Sequence, residues 1–158
     1  MVLIATLKTI LLKEKRYKTI DNIKASGVTH FNEGFIKSVF HKDSLTDRIE
    51  LVDQIRSIVF SNSQHSIVQG LLALASHTET CSMLSKISIP TLIMCGREDE
   101  VTPLVQSEFM NKHITGSVLR LIENAGHVSN LEQPNEFNIH LREFLTAVVE
   151  VEGFKESK

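Results

Sequence analysis

The sequence predicts an α/β fold of about three parallel strands with flanking helices, the first strand set apart from the others by a long helical segment. Three observations predict it. The apolar runs Val2 to Thr6, Thr91 to Cys95 and Val118 to Ile122 have strand length and no helical spacing. The two later runs each lead into a glycine-containing turn and then a helical pattern, an order that requires a parallel sheet. Between the first run and Pro90 there is no proline, and apolar residues recur at helical intervals.

The elements follow in order. Val2 to Thr6 is a continuous apolar run, too short for a helix by itself, and reads as a buried parallel strand. From Leu7 to about Ala25, Leu7, Ile10, Leu11, Tyr17, Ile20 and Ile23 trace a helical face that Gly27 should stop. Phe35, Ile36, Val39 and Phe40 mark a second helix. Asp43 or Ser44 is placed to cap a third, through Leu45, Ile49, Val52, Ile55, Ile58 and Val59. Asn62 or Ser63 is placed to cap a fourth, through Ile67, Leu71, Leu72 and Leu74. Pro90 changes the texture. Strand Thr91 to Cys95 ends at Gly96, and Thr102 or Pro103 opens a helix to about His113. Strand Val118 to Ile122 closes at Asn124, Ala125 and Gly126. Pro134 suits the first turn of a last helix through Phe137, Leu141, Phe144 and Val148. The charged tail from Glu150 is expected to fray.

At 158 residues one domain is expected, and 42% apolar with 23% charged residues is ordinary for a soluble globular chain. A net charge of −2 provides no basic stripe for nucleic acid. Lys13, Lys15, Arg16 and Lys18 cluster, but Glu14 and Asp21 beside them make a solvated helix face. Cys81 and Cys95 are too few for a disulfide framework, which favours a reducing, cytoplasmic setting. The N-terminal apolar stretch lacks a basic lead and a cleavage site, Lys8 interrupts it, and no run approaches the ~20 residues of a membrane span. Neither membrane nor nucleic acid is therefore an expected partner.

Two turns carry the candidate chemistry. GREDEVTP (Gly96 to Pro103) places Asp99 just past one strand, in the pattern G-x-x-D-x-x-x-P. NAGHVSNLEQP (Asn124 to Pro134) places His127 just past the next. Ligands in parallel sheets collect at such strand ends. An acidic turn alone is usually solvated or a helix cap, and a lone loop histidine is usually a surface residue. Together, a carboxylate and an imidazole on neighbouring strand ends are two members of a Ser-His-Asp set. Glu98 and Glu100 flank Asp99, and only the spacing from Gly96 favours Asp99. The third member is missing: no G-x-S-x-G nucleophile elbow occurs in the 158 residues. Ser66 lacks the preceding glycine and falls in a helical pattern, while Ser129 is too close to His127 to face it. His30, His41, His65, His77, His113 and His140 lack ligand spacing, so neither a metal nor another cofactor is expected.

The strings PTLIMCGREDEVTP and LRLIENAGHVSNLEQPNEFNIHLREFL resemble the C-terminal part of the α/β-hydrolase fold, over about Ile87 to Leu145. GHVSNLEQP is most similar to lactonases and esterases of the 3-oxoadipate enol-lactonase type. The resemblance implies a partial α/β-hydrolase fold with Asp99 as triad acid and His127 as triad base. It makes residues 1–6 the core strand after the nucleophile's helix, 7–86 a helical lid, 87–149 the C-terminal core and 150–158 a flexible tail. Met1 then falls in the middle of a hydrolase. The implied function is hydrolysis of a small apolar ester or lactone, with the nucleophile half outside this chain and the isolated chain inactive. An exposed Val2 to Thr6 edge would favour a homo-oligomer or a complementing N-terminal half. A non-catalytic small-ligand-binding or assembly protein derived from a hydrolase is the alternative.

Overall fold

The computed structural model describes residues 2–76 and 80–156, with side chains over 12–76 and 80–150. The chain divides into two compact units, Met1–Ile36 with Val52–Glu79 and Lys37–Leu51 with Thr80–Lys158.

In the first unit α1 (Val2–Ser26) packs against α5 (Gln64–Ser76). Ile20, Ile23 and Val68 are buried between them, ringed by Val28, Phe31, Ile67, Leu71 and Leu72. Most of α2 (Thr29–Val39) and of α4 (Ile49–Ser61) completes this unit. Gly27 stops α1 as expected, with φ of +79° and its N–H on the Ile23 carbonyl at 2.9 Å. Ser63 caps α5, its hydroxyl accepting the Ser66 N–H at 3.1 Å. Arg56 pairs with Glu33 and lies 3.5 Å from Asp53.

The expected first strand is not a strand. Val2 to Thr6 forms the opening turns of α1. No glycine or proline separates that run from the helical pattern beginning at Leu7. A helix satisfies its own backbone, whereas a strand there would need a neighbour's N–H and C=O groups. The edge expected at Val2 to Thr6 goes with it.

The second unit holds the sheet. A 3₁₀ turn (Cys81–Lys86) precedes β1 (Leu92–Gly96). Helix α6 (Leu104–His113) follows, then β2 (Val118–Ile122), the short α7 (Ser129–Glu132) and α8 (Pro134–Glu156). The strands pair in parallel from Leu92 with Val118 to Gly96 with Ile122. Among the described residues the sheet has two strands, not three. Ile93, Cys95, Ile114, Ile122 and Ala125 are buried around it. Helix α8 does not end at Val149 but continues through the charged tail to Glu156, a stretch free of proline.

The third expected helix is also interrupted. It ends as α3 (Ser44–Asp47), Arg48 leaves helical geometry at φ −128°, ψ 49°, and α4 begins at Ile49. The break lets the Arg48 guanidinium donate to the carbonyls of Leu131 and Glu132 at the end of α7. Residues 37–51 thus group with the sheet rather than with the other helices.

Candidate active site

Parallel pairing puts both turns at the same end of the sheet, past Gly96 and past Ile122. They are stitched together. Arg97 N–H bonds the Ile122 carbonyl at 3.0 Å, and Glu98 N–H bonds the Ala125 carbonyl at 3.1 Å. The Glu98 carboxylate accepts the Ala125 N–H at 3.3 Å, and Arg97 grips Glu123 through two nitrogens at 2.6 and 2.5 Å. Gly96 is needed here for closeness. Its φ is not positive, but an added Cβ would stand 2.1 Å from the Gly126 carbonyl oxygen and 2.4 Å from that of Ala125.

Asp99 lies in the tight turn this makes, its N–H on the Gly96 carbonyl at 3.2 Å. Its side chain is 5% exposed. Oδ1 accepts the N–H groups of Val101 and Thr102, both at 2.8 Å, an Asx turn. Oδ2 accepts the Thr102 hydroxyl at 2.7 Å and His127 Nδ1 at 2.9 Å. Burial pushes this carboxyl up, but the Thr102 N–H, His127 and the Thr102 hydroxyl outweigh it and hold Asp99 below the ordinary carboxylate range.

His127 is 38% exposed. Its backbone N–H bonds the Val39 carbonyl at 2.8 Å. Because a carboxylate only accepts, Nδ1 carries the proton toward Asp99, and Nε2 of the neutral ring keeps its lone pair. Thr102 Oγ1, 3.3 Å from Nδ1, supports the same tautomer by spending its own proton on Asp99.

The structure brings together the two residues that spacing singled out, and it separates Asp99 from its acidic neighbours. Glu98 is used on the Ala125 backbone, and Glu100 is exposed. Ser66 is engaged at the start of α5, 2.9 Å from Ser63 Oγ. Ser129 is buried at the head of α7 and does not bond the imidazole. Among the described residues no group of three His, Cys, Asp or Glu side chains is arranged to hold a metal.

Two contributors escaped the sequence reading. Thr102 reads in the sequence as a helix start, although Asp-x-x-Thr is a spacing at which a carboxylate takes the amide and hydroxyl three residues on. Glu132, 1% exposed, accepts Gly126 N–H at 2.6 Å and His41 N–H at 2.8 Å. Its signal was a charged residue between Leu131 and Pro134 with no cation nearby in sequence.

No family model matches the chain. In sequence it is 30% identical over 116 residues to 3-oxoadipate enol-lactonase 2 of Acinetobacter baylyi, covering 73% of this chain and 43% of that enzyme. A second enol-lactonase of the same organism is 48% identical over 54 residues, covering 34% of this chain and 20% of that one. In backbone course it matches a thermophilic esterase from Thermogutta terrifontis with a TM-score of 0.79 at 26% identity, over 87% of this chain and 50% of the esterase. The chain spans about half the length of the relatives it matches. Because a lactonase resembles it in sequence and an esterase in backbone course, each over most of its residues, this chain belongs to the α/β-hydrolase family.

Proposed function

We propose that this chain is the acid-and-histidine half of a Ser-His-Asp hydrolase acting on an ester or lactone, its serine supplied from outside these 158 residues. The observation that carries the proposal is the 2.9 Å bond between Asp99 and His127 Nδ1 at the ends of two parallel strands. In this reading His127 Nε2 takes the proton of the serine hydroxyl as it attacks the acyl carbon, then returns it to the leaving oxygen. Asp99 holds the tautomer and stabilises the imidazolium. The family resemblance makes the helical part of 7–86 a lid, with residues 37–51 grouping instead with the sheet. The enol-lactonases among the chain's relatives point to the same ester or lactone class.

Without a nucleophile the remaining pair supplies almost no acyl-transfer rate, because the triad acts as a unit. The isolated chain should not hydrolyse p-nitrophenyl acetate. Joined in one polypeptide to the serine-bearing half of a related lactonase, it should gain turnover that His127→Ala removes. Turnover by the chain alone that His127→Ala abolishes would overturn the assignment, and so would a joined enzyme indifferent to that substitution.

The edge of β1 that no strand pairs among the described residues, and the exposed Val105, Phe109, Ile139 and Leu145, favour a covering partner, either a second copy or that complementing half. A monodisperse monomer by light scattering at micromolar concentration would refute self-association. Two cysteines, Cys95 buried and Cys81 exposed, are too few for a disulfide framework and suit a reducing cytoplasm. Among the described residues no helix is long and apolar enough to cross a membrane.

A further inference from the structure

We propose that Glu132 is a positioning residue for His127, its buried carboxylate clamping the imidazole loop to the segment Val39 to His41. This inference rests on the reading of His127 as general base.

The loop before His127 is tied to the Asp99 turn through Ala125, whose carbonyl accepts the Glu98 N–H at 3.1 Å, but those bonds stop one residue short of Gly126. Its own sequence, Asn124-Ala125-Gly126, offers small side chains and a positive φ of 52° at Asn124. On its other side lies the backbone of residues 39–41, which passes so close that a Cβ on Gly126 would lie 2.8 Å from Val39 O and Phe40 C and 2.9 Å from His41 N. Two bonds cross this contact directly, His127 N–H to Val39 O at 2.8 Å and Val128 N–H to the same oxygen at 3.3 Å. The other two run through one side chain. Glu132 Oε2 takes the Gly126 N–H at 2.6 Å and Oε1 takes the His41 N–H at 2.8 Å. Gly126 is bonded to His127, so the carboxylate sets where the imidazole begins.

The choice of a carboxylate is informative. A group 1% exposed sheds its hydration, which is costly for a charge unless hydrogen bonds replace the water. Two backbone N–H groups, one on each oxygen, do so here, and charge-assisted bonds are shorter and stronger than neutral ones. Arg48 anchors the same helix end through the Leu131 and Glu132 carbonyls, so α7 cannot swing away with the clamp. An amide at this position presents one acceptor and one donor. Its NH₂ would face a backbone N–H, and one of the two bonds would be lost.

The test reads the hydrogen bond itself in the full chain. The proton shared between His127 Nδ1 and Asp99 should give a strongly downfield NMR resonance that Asp99→Asn removes. Glu132 touches neither group, yet Glu132→Gln should abolish that resonance or raise its exchange with water at least about tenfold, the consequence of losing one charge-assisted bond in the loop. A folded Glu132→Gln whose resonance keeps its position and exchange rate would overturn the proposal. Should Glu132→Gln fail to fold, Glu132→Asp keeps the charge one methylene short of both amides and is read the same way. Faster exchange supports the clamp, and unchanged exchange overturns it. Turnover plays no part in this readout. A negative result here leaves the hydrolase reading standing, and a joined enzyme indifferent to His127→Ala leaves the clamp standing.

Discussion

Replacing Gly96 by alanine tests whether the two turns must touch. A Cβ there would stand 2.1 and 2.4 Å from two carbonyl oxygens and 2.8 Å from the Ala125 carbonyl carbon. All three are backbone atoms, which cannot rotate aside as a side chain would. Restoring ordinary contact near 3.5 Å to the nearer oxygen, at 2.1 Å, requires the strand end and the histidine turn to separate by about 1.4 Å. That movement would break the Glu98 N–H to Ala125 bond, now 3.1 Å, and stretch the 2.9 Å Asp99–His127 bond beyond hydrogen-bond range. Overpacking costs about 3 kcal/mol at the upper end of its usual range. A lost hydrogen bond adds roughly 1 kcal/mol. For a chain of this length about 4 kcal/mol lowers Tm by roughly 8–16 °C. Gly70→Ala is the control. It lies inside α5 with nothing within 4 Å of the new methyl, and should stabilise by about 0.5–1 kcal/mol. Thermal melts followed by circular dichroism read both. A fall of less than about 4 °C for Gly96→Ala, with the shared imidazole proton still visible, would refute the contact.

Two further outcomes follow from the site. In the joined enzyme Asp99→Asn should lower kcat about ten-thousand-fold with KM little changed, because the amide presents a donor to Nδ1 and selects the wrong tautomer. A loss below tenfold would show that Asp99 does not orient His127. The same substitution has a pH signature. Asp99 is held below the usual carboxylate range, so its stabilisation is complete above the unfolded value of about 3.9 and is lost as pH falls through the folded one. The stability gap between wild type and Asp99→Asn, from urea midpoints, should therefore close below about pH 4, and a pH-independent gap would contradict this. At the rim, Glu123→Gln removes a two-nitrogen grip by Arg97, but both side chains are about half exposed. Solvent screening should leave the melting temperature unchanged, and a clear fall would mean that the pair helps hold the turns.

Local chemistry made the second half of this chain legible. β2 was marked at both ends by the run Val118 to Ile122 and the turn after it, and Pro134 fell at the first position of α8. Glycine and proline act through their own backbone geometry, so their meaning survives without knowledge of what packs around them. The pairing of Asp99 with His127 was legible too, because two turns after two parallel strands have one end of a sheet to share. Val2 to Thr6 was not, since a short apolar run suits a strand or a helix equally until a partner strand is present or absent. Nor was the reason for Gly96, which answers to carbonyls 29 and 30 residues away rather than to its own φ (125 − 96 and 126 − 96). Glu132 and the break at Arg48 belong to the same class. Each makes a bond to atoms more than 80 residues distant in the chain, and only folding makes those atoms neighbours.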